Sequence, residues 1–278
     1  MQALFTLTSS ESKRLIAKGV AAMPEIQETM SEGYLLVGRG STNGYIVEEL
    51  LERSIEKERY VAGQVIRGVL CALGQGDRLQ PITFHKGEVL EAEPATLLDR
   101  LGRGDMLLKG ASAIDHTGNI GVVMASPQGG TMGDFYLPFK ARGGTILYPV
   151  GLEKMIPSVE DASRMGGLFT VERSIGARVG MVCVADGLAY TELDALEDLF
   201  GVEAVHFASG GYGGAEGSVT IAVEGDDEDV NECLDFIEEK VKGEPPLKGL
   251  KSPCKTCPLL CSFQGKDEKD LPLYLRGE

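Results

Sequence analysis

One junction constrains this chain more than any other feature. Tyr34-Leu35-Leu36-Val37 is a short, wholly apolar run, the texture of a strand buried on both faces. Gly38 to Gly44 follows as a turn of glycine, serine and threonine, and Tyr45 to Leu51 then takes helical periodicity. Strand, glycine turn and helix make half of a βαβ unit.

The alternation continues along the chain. Before the junction, Leu15, Ile16, Val20, Met23, Ile26 and Met30 fall at helical spacing, with Ser9 or Ser10 as cap and Pro24 opening a second helical piece. After it, Tyr60 to Leu73 contains another apolar run, and Pro81 to Phe84 and Glu88 to Leu90 read as short strands. Ala95 to Leu101 reads as a helix. Met106 to Leu108, Gly121 to Ala125 and Thr145 to Val150 read as strands. This order predicts an α/β fold with a doubly wound, mainly parallel, Rossmann-like sheet over residues 1–170. Beyond the glycine-rich stretch Gly166 to Gly176 the texture changes. Ala177 to Val184, Thr191 to Phe200, Val202 to Phe207, Ser218 to Val223 and Asp229 to Val241 give the order βαββα, an α+β ferredoxin-like module over 177–243. Residues 244–278, rich in Pro, Lys, Asp and Gly, are expected to be an irregular tail.

Charge and hydropathy narrow the class. With 27 basic and 42 acidic residues the net charge is −15, which repels phosphodiester backbones and argues against nucleic-acid binding. No run approaches ~18 uninterrupted apolar residues, and Met1 to Leu15 lacks the charged-then-apolar order of a secretory signal. A cytoplasmic protein without a membrane partner is the expectation.

The turn carries the first chemical signal. Gly38, Gly40, Ser41, Thr42 and Asn43 combine a bendable backbone, hydroxyl donors and the electropositive start of a helix. Such parts suit a phosphate or carboxylate, although a plain strand-to-helix turn with a Ser or Thr cap uses the same residues. Loops at the carboxyl ends of neighbouring strands complete a site in such folds. They supply Lys109 and Gly110 for an anion, and Asp115 to orient a hydroxyl or act as a base. His116 is a candidate proton carrier, with an exposed loop histidine as the alternative. Gly129, Gly130 and Thr131 form a second glycine turn able to close over a ligand. Glu153, followed by Lys154, suits an ion pair or the start of a helix, and Glu153 joins Asp115 and Lys109 as a catalytic candidate. The loop Ser209 to Gly217 reads as a mobile hairpin connection.

These residues carry a resemblance. Lys13 through Leu50, with Gly38, Gly40, Ser41 and Thr42 in the turn, is similar to the opening of ribose-5-phosphate isomerase and its relatives, where Arg39 replaces a threonine. Leu107 to Asp115, followed by Gly118-Asn119-Ile120-Gly121, resembles the Gly-Ala-Asp segment of the same superfamily, seen also in its initiation-factor-2B and CoA-transferase branches. Pro149 to Ser158 resembles the Gly-x-Glu-Lys segment of lactate-utilisation proteins. The resemblance, over roughly residues 10–165, is to the NagB/RpiA/CoA-transferase-like superfamily. It implies the fold, a small anionic metabolite and a homo-oligomer such as a dimer. It does not carry an activity: His116 stands where the isomerase pattern has an acid, and no CoA-transferase glutamate motif is present.

The tail carries the second signal. Cys254, Cys257 and Cys261 have C-x2-C-x3-C spacing, which lets three thiolates face one metal or cluster. An iron–sulfur cluster and tetrahedral zinc are the alternatives, and both ask for a fourth ligand from elsewhere. Cys71, Cys183 and Cys233 sit in apolar segments and read as small core residues, though any could supply it. Three functions follow as expectations. The first is a binding protein, or enzyme, for a small anionic metabolite. The second is a redox accessory protein carrying the cysteine site. The third is a non-catalytic sensor or assembly protein.

Overall fold

The computed structural model describes residues 1–276 and has a mixed α/β fold around a six-stranded sheet. The strands lie in the order Leu188–Tyr190, Thr145–Pro149, Met106–Leu108, Tyr34–Val37, Ile82–His85 and Glu88–Glu91. The first four run parallel, while the last two form a hairpin that joins Tyr34–Val37 antiparallel. Both faces are covered. Leu35, Val37 and Leu108 pack with Leu15, Ile16 and Ile46 of two helices, and Leu36, Leu107 and Ile146 pack with Phe135 and Phe139 on the other side. Burial on both faces is why these strands read as unbroken apolar runs.

Helix Ser9–Ala22 crosses the first face and packs against helix Ser41–Leu51. Its cap is Thr8 rather than Ser9 or Ser10. Thr8 Oγ1 accepts from the Glu11 amide, and the Glu11 carboxylate accepts from the Thr8 amide in return. This reciprocal pair satisfies two amides at once, more than a lone serine cap does. Helix Pro24–Glu32 follows, with the fixed φ and missing N–H of Pro24 suited to its first turn.

The 177–243 segment does not form a self-contained ferredoxin-like module. Gly180–Val184 pairs with Ile120–Met124, and Leu188–Tyr190 joins the main sheet. Glu203–Gly210 and Ser218–Glu224 form an antiparallel hairpin whose third strand is Gln2–Leu7 from the other end of the chain. The cause is a shared core: Leu7, Val219, Ile221 and Val230 lie in the same apolar cluster as Leu35 and Val37. The expected boundary near residues 170–177 is therefore crossed by strand pairing on both sides.

The tail beyond residue 243 is irregular, with short 3-10 turns such as Cys254–Thr256 and Leu273–Leu275. The final two residues of the expected tail lie outside the described residues. Phe263, Leu271 and Leu275 pack on Val69 of the hairpin Gly63–Ile66/Val69–Ala72. Among the described residues, no helix is long and apolar enough to cross a membrane.

Candidate functional site

Register aligns the ends of the parallel strands. Val37, Leu108, Leu147 and Leu188 stand side by side, so the residues that follow each strand emerge along one edge. These are Gly38 to Asn43, Lys109 and Gly110, Gly151 to Lys154, and Thr191 and Glu192. In an open parallel sheet this edge is where ligands bind.

The glycine turn is less open than its sequence suggests. The Gly38 amide donates to Leu108 O at 2.9 Å and the Gly40 amide to Tyr60 O at 2.9 Å, so neither faces a ligand. Gly40 has φ 172° and is extended, so it is not a bend that only glycine can make. Nor is its small size required, because a Cβ there would meet Gly110 Cα at an ordinary 3.7 Å. Arg39 turns away, its Nε donating to Leu79 O at 2.7 Å and its Nη2 pairing with Glu93 at 2.8 Å. Asn43 is wholly buried and its Nδ2 donates to Gly38 O and Leu108 O, clamping turn to strand. What remains is the start of helix Ser41–Leu51, which has no side-chain cap on its first-turn amides. Buried there without partners are Thr42 Oγ1 and Asn43 Oδ1.

A charged cluster fills the rest of the edge. Lys13, from the first helix, places Nζ 3.0 Å from Glu153 Oε1, and both side chains are about nine-tenths buried. Glu153 folds back over Gly151: a Cβ on Gly151 would lie 1.8 Å from Glu153 Oε2. That oxygen has no partner. Lys154 Nζ donates to Ala111 O at 2.9 Å, and Lys109 Nζ to Gly110 O at 2.9 Å. Glu192 is fully buried and accepts the Leu152 amide at 3.0 Å. Gly217, which closes the hairpin loop 209–217, lies against the Glu153 side chain.

The electrostatics are unbalanced. Burial and the neighbouring Lys154 bring the Lys109 ammonium down to about 8. Burial also holds Lys154 below the ordinary lysine value, with Glu153 acting against the shift. Burial, then the nearby Glu153 carboxylate, pushes Glu192 up to about 7. Burial works to raise Glu153 too, but Lys13 and Lys154 overcome it and hold that carboxyl below its usual range. Two carboxyls pushed in opposite directions and two lysines made reluctant to ionise mark a site whose charges are not mutually satisfied.

Other predicted residues fall elsewhere. Asp115 is buried, and its carboxylate accepts from the Thr117 amide and hydroxyl, the Asn119 amide and side chain, and the Val159 amide. Burial works to raise its pKa, yet these donors pull it far below the usual carboxylate range. These five bonds tie the Asp115 carboxylate into its own loop and to Val159. His116 is exposed. Gly129 and Gly130 take positive φ and start a tight turn, with Gly129 N–H donating to Ser126 O and Asp134 N–H to Gly130 O. Thr131 is exposed at its end.

The cysteines converge. Cys71, on the strand Val69–Ala72, lines one narrow cavity of about 20 Å³ together with Cys254, Cys257 and Cys261. The Phe263 amide donates to Cys261 Sγ at 3.4 Å and Lys251 Nζ to Cys254 Sγ at 3.9 Å. Among the described residues, no three His, Cys, Asp or Glu side chains are arranged to hold a single metal ion.

Sequence reasoning passed over Lys13 and Glu192 as site residues. A capping box at Thr8 is a readable signal for the register of the first helix, but the meeting of Lys13 with Glu153 is set by packing. No family model, no curated protein and no solved structure matches this chain.

Proposed function

We propose that this protein binds a small anionic metabolite, phosphorylated or carboxylated, at the carboxyl ends of its parallel strands. Lys109 and Lys154 hold the anion, and the first-turn amides of Ser41 to Asn43 flank it. The reading keeps the ligand class implied by the resemblance to the ribose-5-phosphate isomerase and CoA-transferase superfamily. It shifts the binding groups from the glycine amides to the lysines.

The observation that carries it is the lysine pair. Two partly buried ammonium groups have only the carbonyls of Gly110 and Ala111 as hydrogen-bond partners, and only Lys154 has a carboxylate, Glu153, acting on it. Moving Lys109 from 10.5 to about 8 corresponds to a reluctance to ionise on the order of 3 kcal/mol. An anion seated between the pair supplies the missing counter-charge and removes that cost. Glu192, which keeps its proton up to about pH 7, adds little opposing charge below that pH. The partnerless Thr42 Oγ1 adds a hydroxyl to the first turn of the helix.

A thermal-shift series tests this. Wild-type protein and Lys109→Met are heated with sugar phosphates, nucleotides, acyl-CoAs and short organic acids. A ligand at ~100-fold its Kd stabilises by about 2.7 kcal/mol. We expect at least one anion to raise the wild-type midpoint and to leave Lys109→Met unmoved. Silence across the whole series, or an equal rise in both proteins, contradicts the reading.

A further inference from the structure

We infer that Cys71, Cys254, Cys257 and Cys261 together ligate one iron–sulfur cluster, of the [4Fe–4S] type, between the tail and the Gly63–Ala72 hairpin. The motif in the tail provides three thiols at close spacing and leaves a fourth position open. Folding brings Cys71 to that position from 183 residues earlier in the chain, on a strand with no sequence motif of its own. Four cysteine thiolates are the ligand set of such clusters.

The surroundings suit a cluster. Val69, Leu70, Ala177 and Phe263 line the cavity along with the thiols, giving the apolar shell that shields a cluster from water. The amide of Phe263 already points at Cys261 Sγ, and the ammonium of Lys251 approaches Cys254 Sγ. Donors to sulfur of this kind offset the negative charge of thiolates and tune a cluster's potential. Metal binding releases protons as it forms the thiolate bonds.

A single tetrahedral zinc is the competing occupant. It needs all four sulfurs about 2.3 Å from one point. A cubane instead spreads its four sulfur contacts over four separate irons. The cavity of about 20 Å³ is smaller than a cubane, so the proposal requires it to widen on loading. The tail wall is held to the 174–178 segment by Arg178 N–H to Leu260 O and Ser262 Oγ to Ser174 O. Strand Val69–Ala72 is held in an antiparallel pair and gives Cys71 a fixed place.

The test is anaerobic reconstitution of the full chain with equal amounts of ferric and ferrous iron and sulfide. We expect about four irons and four acid-labile sulfides per chain, with broad visible absorbance bleached by dithionite. Cys71→Ser should lose most of the iron, and Cys183→Ser should keep it. Because Cys71→Ser can lose iron by misfolding, thiol alkylation of the loaded wild-type protein provides a second arm. Cys71, Cys254, Cys257 and Cys261 should resist alkylation until a chelator strips the iron, while Cys183 reacts equally before and after. Three results overturn the inference: one zinc and no iron per chain, no metal retained after reconstitution, or free alkylation of Cys71 in the iron-loaded protein.

Discussion

Asp115 and Glu153 are both buried carboxylates on loops that follow strands of this fold, and they are treated in opposite ways. Asp115 accepts from five donors, three of them backbone amides. Glu153 has one lysine on Oε1 and nothing on Oε2, with a second carboxyl, Glu192, close by. Fully satisfied buried charge builds structure, whereas partly satisfied charge costs stability and persists where a binding partner completes it. The Asp115 loop is therefore a structural anchor, and the edge around Glu153, Lys154 and Lys109 is where we propose that a ligand binds.

The largest expected effect breaks the anchor. Asp115→Ala strands the amides of Thr117, Asn119 and Val159 inside the protein and should cost about 3–5 kcal/mol in urea unfolding. A loss below ~1 kcal/mol would erase the contrast. The pH dependence follows from its lowered pKa. The carboxylate's contribution is complete above its unfolded value, about 4, and is lost as acid protonates the folded form below that. Asp115→Ala should therefore be less acid-sensitive than wild type.

Glu192 should show the reverse sign. Its pKa is raised from 4.5 to about 7, so the folded state holds this proton more tightly than the unfolded chain. Stability from that proton is full below pH ~4.5 and drains away as pH rises through about 7, by on the order of 3 kcal/mol. In Glu192→Gln the decline across this window should vanish, which urea midpoints at pH 4.5 and 8 will read. Parallel pH curves for the two proteins would show that Glu192 is an ordinary glutamate.

Lys109→Met sharpens the contrast from the other side. It removes a buried ammonium that the fold disfavours, so at pH 7 the variant should gain about 1–2 kcal/mol while losing anion response. A destabilised variant would mean that the lysine is structural. Anion affinity in wild type should also fall above pH ~8, where Lys109 deprotonates; calorimetry at pH 7 and 9 measures it.

Gly40→Ala is the smallest case. The backbone is extended and the new methyl carbon would make an ordinary 3.7 Å contact with Gly110, so stability should change by less than about 1 kcal/mol. A collapse of the fold would restore the idea that this glycine is conformationally obligatory.

Much of this architecture was legible in the residues. The runs Tyr34–Val37 and 146–149 are apolar because both sheet faces are covered, and Pro24 marks the helix break. The strands Gln2–Leu7 and Leu188–Tyr190 were not legible, because each is defined by a partner far away in the chain. The same distinction holds for the sites. Lys109 and Glu153 follow strands and could be singled out. Lys13, Glu192 and Cys71 reach their places by tertiary packing, and Lys13 lies within a helical pattern whose solvated face usually hosts lysines. Glycine spacing in the turn suggested open amides, but it says nothing about which carbonyls approach, and those of Leu108 and Tyr60 do.

The central claim is that Lys109 lacks a counter-charge in the free protein and gains one from an anion. Nitrogen-detected NMR titration of its Nζ, assigned by its disappearance in Lys109→Met, measures this directly. We expect a midpoint near 8 without ligand and a clear upward move on saturation with the anion found by thermal shift. A midpoint near 10.4, the value of an unperturbed lysine, with no response to any anion, would contradict the claim.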